Sequence, residues 1–489
     1  MSPNDIAPRP LSPSGRYDRS RVTAGIAHMS VGNFHRAHQA CYVEQILALS
    51  GHEHWGILGI GLLDVPSERA KADALRRQSG LYSLTAYPPE GTPKVSVIGS
   101  IVDYLHAPNE PEAVLRRLAD PAIRIVTMTV TEGGYNRDDA GRFRLESPDI
   151  VHDLAGGLPR TVFGFITEAL HRRRRAGAGP FTVMSCDNLR HNGRVIEAAL
   201  LSFARARDPG LADWIQRTVT FPSCMVDRIT PATAPADVAR LNAASGFDDA
   251  APVFAEDFIQ WVIEDRFCAG RPRWEEVGVQ FTGDVDPYEQ VKLRMLNASH
   301  SVMAYPAVLI GHRLVHEAVA DPELRAFLSD FLQRDAGPLL DAPPGMSTRS
   351  YGELLLRRYS NTAIGDQVLR IASDGISKLP VFLRDTATAI LDRGGDHRRI
   401  AFALAAFAEY LGGKDDAGAT FAVNEPGYTS GQAALVEDPD PARALELDAF
   451  KGWDLGSRPA FRADFAAFRR GIRSQGAKRT LSMLMTANR

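Results

Sequence analysis

From residue 21 to 285 short apolar runs alternate with stretches whose apolar positions recur every three to four residues. The runs predict strands at "AGIAHMSV" (24–31), "WGILGIGLL" (55–63), "KVSVIGSIVDYL" (94–105), "IRIVTMTV" (123–130), "FTVMSCD" (181–187) and "VTFPSCMV" (219–226). Helices are expected between them at 34–50, 67–79, 161–176 and 193–207. Strands alternating with helices of this length predict a mainly parallel, doubly wound sheet covered on both faces. After 286 the pattern becomes helical, at 288–318, 322–333, 350–373, 380–393, 397–411, 441–450 and 460–472, without strand alternation. The expectation is therefore α/β: a Rossmann-like doubly wound domain over 1–285 and a mostly helical domain over 286–489.

The first long helix after that boundary contains "VKLRMLNASHSVMAY" (291–305), an apolar run interrupted by Lys292, Arg294, Asn297 and His300. On a regular helix Lys292 at 0° places His300 near 80°, Asn297 near 140° and Arg294 near 200°. The first three share an arc that is either a surface stripe or one wall of a pocket. Because clefts commonly form where domains meet, the second reading gains weight.

Composition adds mainly exclusions. The chain has 489 residues, 44% hydrophobic and 24% charged, with a net charge of −3, so no global field favours nucleic acid or an anionic membrane. Cys41, Cys186, Cys224 and Cys268 are scattered, which predicts neither a structural zinc site nor a disulfide framework and fits a reducing cytoplasm. The Pro-rich N-terminus has no apolar core of a signal peptide, and no run is long enough to span a bilayer.

The turn after the first strand reads Ser30-Val31-Gly32-Asn33-Phe34-His35. A Rossmann unit holds pyrophosphate at such a strand-to-helix turn, and Gly32 lets backbone approach phosphate, although Ser30 and His35 stand where the fingerprint has glycine. Asp64, ending the second strand, and Glu68 are candidates for the ribose hydroxyls; either carboxylate would repel a 2′-phosphate, favouring NAD over NADP, with Arg69 close by. "TVTEGGYNR" (129–137) adds Glu132 and Gly133 at another strand end, and "SCDNLRHNG" and "MVDRITP" bring Asp187, Asn188, His191, Asn192, Asp227 and Arg228 past two more.

These stretches, with "VGNFHRAHQA", "TVFGFI", "WVIEDRF", "GVQFTGDVDPYEQVK", "LNASH" and "SDGISK", resemble the polyol-specific long-chain dehydrogenases over about residues 24–380. The resemblance implies a metal-independent, nicotinamide-dependent enzyme that interconverts a sugar alcohol and its ketose, D-mannitol and D-fructose being the first expectation. It implies Lys292 as catalytic base, Asn188 and Asn297 as amides on the reacting oxygen, and His300, Asp227, Arg370 and Lys378 as substrate contacts. Glu289 matches a residue in proton relay, and a monomer is expected. Arabinitol, sorbitol, altritol and a hexuronate such as fructuronate remain alternatives, as does, in a different class, a non-catalytic NAD-binding sensor. Two departures, Ser30 and about two extra residues in "LLDVPSER", leave the pyrophosphate contacts and the choice of NAD or NADP open.

Physical chemistry suits these roles. A lysine with its ordinary pKa of about 10.4 is protonated at neutral pH and is no base. Lowering it to about 7–8 needs roughly 4 kcal/mol of disfavour for the ammonium, which burial supplies. Two neutral amides stabilise a forming alkoxide without trapping a permanent charge.

Overall fold

The structure, a computed structural model, describes residues 9–138 and 141–487. The first eight residues, part of the segment expected to carry no signal peptide, lie outside the described residues. The chain divides into two units, Met1–Asp286 and Pro287–Arg489.

The first unit contains eleven described strands: β1 (Ala24–Met29), β2 (Gly56–Gly61), β3 (Tyr82–Tyr87), β4 (Lys94–Ile98), β5 (Ile101–His106), β6 (Ile125–Met128), β7 (Thr182–Ser185), β8 (Cys224–Asp227), β9 (Val253–Glu256), β10 (Gln260–Glu264) and β11 (Gln280–Thr282). Five form a parallel sheet in the order β5-β2-β1-β6-β7, with β1 central and paired to β2 and β6. Successive side chains leave a strand on opposite faces. Ile26, Ile57 and Ile125 accordingly enter one core with the helix Gln39–Leu47, while Ala27, Leu58 and Val126 enter the other with the helices Val162–Arg175 and Asn192–Arg207. Apolar residues on both faces are why these strands read as continuous runs.

Several elements differ from expectation. The run 94–105 is two strands that join different sheets, because Gly99-Ser100 interrupts it. The strand expected at 219–226 leaves the parallel sheet: Val183 N–H donates to Thr220 O beside β7, then Pro222 precedes β8, which pairs antiparallel with β10. Two smaller sheets, β4-β3-β9 and β11-β10-β8, contain four strands that alternation did not reveal. The helix expected at 34–50 breaks at His38, whose φ of −118° and ψ of −88° are non-helical.

The second unit is helical, and among the described residues no strand follows Thr282. Its core surrounds the helices Ala298–Ile310 and Arg398–Tyr410, both buried along most of their length. The helix expected over 288–318 has a fault: Asp286–Val291 is α-helical, Lys292–Asn297 is π-helical, and Ala298–Ile310 is α-helical again until Gly311. Within the fault Ala298 N–H donates to Leu293 O, five residues back. A second π-helical turn covers Phe331–Ala336. Among the described residues no helix is long and apolar enough to cross a membrane.

Candidate active site

In the first unit, the carboxyl end of β1 leads into Ser30, whose φ of 71° lies in the left-handed region. That conformation is why a glycine suits this position; an L-residue carries a penalty of about 1–2 kcal/mol there. Two hydrogen bonds hold it: Ser30 N–H donates to Ile60 O, and Thr129 Oγ1 donates to Ser30 O. Gly32 follows, and an added Cβ there would meet no protein atom within 4 Å. Neither its φ nor a neighbour demands glycine, so the open space admits an approaching group, as a pyrophosphate would. Gly133 is open in the same way, whereas a Cβ at Gly134 would lie 2.7 Å from Val130 Cβ.

The side chains expected at this turn are mostly engaged by the protein. Asn33 Nδ2 donates to Pro231 O and Thr233 Oγ1, and Asn33 Oδ1 accepts from Arg36. Phe34 stacks on His38. His35 is buried and stacked on His28 at 3.5 Å, so its backbone, not its imidazole, faces the turn. Burial pushes both imidazoles down, His28 to about 3 and His35 well below the usual histidine range. Beyond Ser30 a cavity of about 440 Å³ opens at the carboxyl ends of β1, β2 and β6. Leu62, Leu63, Val130 and Phe163 give it an apolar lining, and Arg144 and Arg160 reach it from the segment after β6. An adenosine-sized group fits such a slot.

Asp187 organises the next strand end. Its carboxylate accepts from Val130 N–H, Thr131 N–H and Tyr135 Oη, at 2.9, 2.9 and 2.7 Å, and so fixes the turn that carries Glu132 and Gly133. Burial raises its pKa, and those donors oppose the rise. Asn192 is fully buried; its amide donates to Asp187 O and Cys224 O and accepts from Cys224 N–H. This clamp ties the end of β7, where Asn188 is exposed, to β8, which ends at Asp227, 4% exposed. Arg228 is buried against Glu256 O and Ala37 O, a structural strap.

In the second unit Lys292 (8% exposed) and Glu289 (4%) are buried, while Asn297 and His300 are half-buried. The π-helical turn changes their bearings. Residues five apart are about 140° apart on a regular helix but only about 50° apart where hydrogen bonds run i to i+5. Carrying that correction forward returns His300 to about 10° from Lys292, so the arc expected to span about 140° narrows to roughly 60°. Asn297 Oδ1 is buried without a hydrogen-bond partner among the described residues. His300 stacks on Tyr359 at 4.4 Å. Further along, Arg370 is held by Asp366 through two hydrogen bonds of 2.8 and 2.6 Å, and Lys378 Nζ donates to Ser373 O at 2.7 Å.

A family model described as the mannitol dehydrogenase Rossmann domain matches residues 24–276, and one described as the mannitol dehydrogenase C-terminal domain matches 284–468. The chain belongs to the mannitol dehydrogenase family. A polyol:NADP oxidoreductase of Gluconobacter oxydans is 48% identical over 94% of this chain and 95% of its own. The solved D-sorbitol dehydrogenase, in substrate-free form, superposes with a TM-score of 0.90 at 46% identity, covering 96% of each chain. Pseudomonas fluorescens mannitol 2-dehydrogenase, in a ternary complex with NAD and D-mannitol, gives 0.85 at 42% identity, again over 96% of each.

For a member of the mannitol dehydrogenase family, the environment of the ribose candidates is informative. Asp64 is exposed and accepts from Arg69 Nε at 2.7 Å, and Glu68 pairs with Lys71 at 2.7 Å. Each carboxylate thus has a cation beside it, which weakens the repulsion expected for a 2′-phosphate. Three neighbours of the candidate residues carry no signal in the sequence pattern: Tyr359 behind His300, and Arg144 and Arg160 at the cavity. Periodicity offered no signal for them, because each acts through contacts distant in the chain.

Proposed function

We propose that this chain is an NAD(P)-dependent polyol dehydrogenase that takes D-mannitol to D-fructose. The observation that carries the proposal lies on the π-helical turn: Lys292 is buried there, and Asn297 Oδ1 is buried without a hydrogen-bond partner among the described residues. An unmet buried acceptor is costly unless a ligand hydroxyl satisfies it. In this reading Lys292 removes the hydroxyl proton, and Asn188 and Asn297 donate to the oxygen as its charge grows. His300 orients the reacting hydroxyl, Asp227 and Lys378 receive further hydroxyls, and Glu289 passes the proton onward. Bound NAD(P) supplies the hydride acceptor. Gly32, Asn33, Phe34 and His35 offer it backbone amides, with Ser30, Asp64, Glu68, Glu132 and Gly133 as further contacts.

A neutral polyol is favoured over a hexuronate by one contact. Arg370, the cation best suited to a carboxylate, already has Asp366 bound through two hydrogen bonds. The pairing of Asp64 with Arg69 favours acceptance of both cofactors. A monomer is the proposed state. The four cysteines, all free thiols, fit the proposed cytoplasmic location. The test is a spectrophotometric panel of mannitol, sorbitol, arabinitol and altritol with NAD and NADP, and of fructuronate with NADH and NADPH. Mannitol oxidation with the highest kcat/KM supports the proposal; preferred turnover of fructuronate contradicts it.

A further inference from the structure

Tyr359 ends the helix Thr348–Tyr359 and is almost completely buried within the second unit. Its hydroxyl donates to Leu296 O at 3.0 Å, and Leu296 lies inside the π-helical turn. Ser299 Oγ lies 2.9 Å from the same hydroxyl and 3.1 Å from Leu296 O, so the three oxygens form a triangle in which the two hydroxyl protons serve two edges at a time. The face of the Tyr359 ring lies against His300, with ring centroids 4.4 Å apart and 30° between planes. One side chain therefore touches the turn between Lys292 and Asn297 and also the imidazole that follows it.

A π-helical turn inserts one residue into an α-helix and persists only where surrounding contacts compensate it. Leu296 O is where such compensation counts, because its neighbour Asn297 has to stay in the row of Lys292. We infer that Tyr359 is a positioning residue with two separable duties. Its hydroxyl holds the π register that aligns Lys292 with Asn297, and its ring sets the plane of His300. The inference rests on the proposed roles of those three residues. It predicts that hydroxyl and ring affect different kinetic constants: alignment of base and amide governs the chemical step, whereas the imidazole plane governs how the polyol is held.

The test compares Tyr359→Phe, Tyr359→Leu and Ser299→Ala in the full chain with mannitol. Tyr359→Phe keeps the ring; kcat should fall about tenfold, with KM within about twofold of wild type. The primary deuterium isotope effect on kcat, with mannitol deuterated at the reacting carbon, should rise as hydride transfer becomes more limiting. Tyr359→Leu should lose the same kcat and in addition raise KM about tenfold, so that Tyr359→Phe rescues KM relative to it. Ser299→Ala should move kcat in the same direction by a smaller factor. Wild-type kcat and isotope effect in Tyr359→Phe overturn the hydroxyl duty, even if its melting temperature falls. Equal KM in the Phe and Leu variants overturns the ring duty. If Tyr359→Leu does not fold, the Phe and Ser299 variants still decide the hydroxyl duty. Normal turnover by Lys292→Ala would remove the underlying reading instead, whereas inactive Lys292→Ala with unaffected Tyr359 variants removes this inference alone.

Discussion

Among the described residues the second unit contains two π-helical turns of six residues each, Lys292–Asn297 and Phe331–Ala336, and they use the same irregularity differently. In Phe331–Ala336 the polar residue turned inward is Asp335, and Arg399 saturates it with hydrogen bonds of 2.6 and 2.7 Å. Both partners are buried, so that turn is a closed structural joint. In Lys292–Asn297 the inserted residue swings Asn297 toward the row of Lys292 and leaves an amide oxygen without a protein partner among the described residues. A π-helical turn is therefore not a site in itself. What distinguishes the two is whether the protein completes the hydrogen bonding or leaves it for a ligand.

Substitutions can break this contrast. Asp335→Ala leaves the buried Arg399 guanidinium only its longer contact to Asp396, at 3.4 Å, and should cost about 3 kcal/mol in urea denaturation, with kcat per folded molecule unchanged. A fall in kcat without lost stability would mean that the second turn is functional too. Asn297→Ala should show the reverse: kcat lower by about 10²–10³, with the urea midpoint close to wild type. Loss of stability without loss of rate would reduce Asn297 to packing.

Two features of the first unit extend the comparison to its own irregular turn. His28 and His35 are buried as neutral rings, His28 pushed down to about 3 and His35 well below the usual range. The unfolded chain binds protons at both as pH falls below about 6.5, while the folded chain does not. Unfolding free energy should therefore drop by about 1.4 kcal/mol per pH unit for each histidine, from about 6 toward 4, measured by urea titration at each pH. His35→Phe should halve that slope. The smallest effect is expected at Ser30, whose φ of 71° is strained. Ser30→Gly should raise stability by up to about 1 kcal/mol in thermal melts and leave cofactor affinity within twofold. Weaker cofactor binding would show that the hydroxyl itself is a contact.

Much of this was legible in the residues. Buried parallel strands have apolar residues on both faces, so Ala24–Met29, Gly56–Gly61 and Ile125–Met128 announced themselves. The position of Asp64 after β2 and the change to helical periodicity near residue 286 follow from equally local signals. What stayed hidden depends on contacts remote in sequence. Nothing in "VKLRMLNASH" marks a change from i+4 to i+5 bonding, because Tyr359 is one of the residues that hold that register. Asp187, one of the polar residues past a strand end, is the support of the Val130–Tyr135 turn. Arg228 likewise donates to backbone carbonyls, those of Glu256 and Ala37. Polar residues at strand ends look alike until their hydrogen bonds are counted.

The central claim is that the first π-helical turn carries the proton-transfer group. Turnover of mannitol by Lys292→Ala, with NADH binding followed by fluorescence on the same preparation, tests it most directly. In Lys292→Ala kcat should be lower by about 10³-fold, with NADH binding unchanged. Lys292→Ala turning over mannitol at the wild-type rate would contradict it.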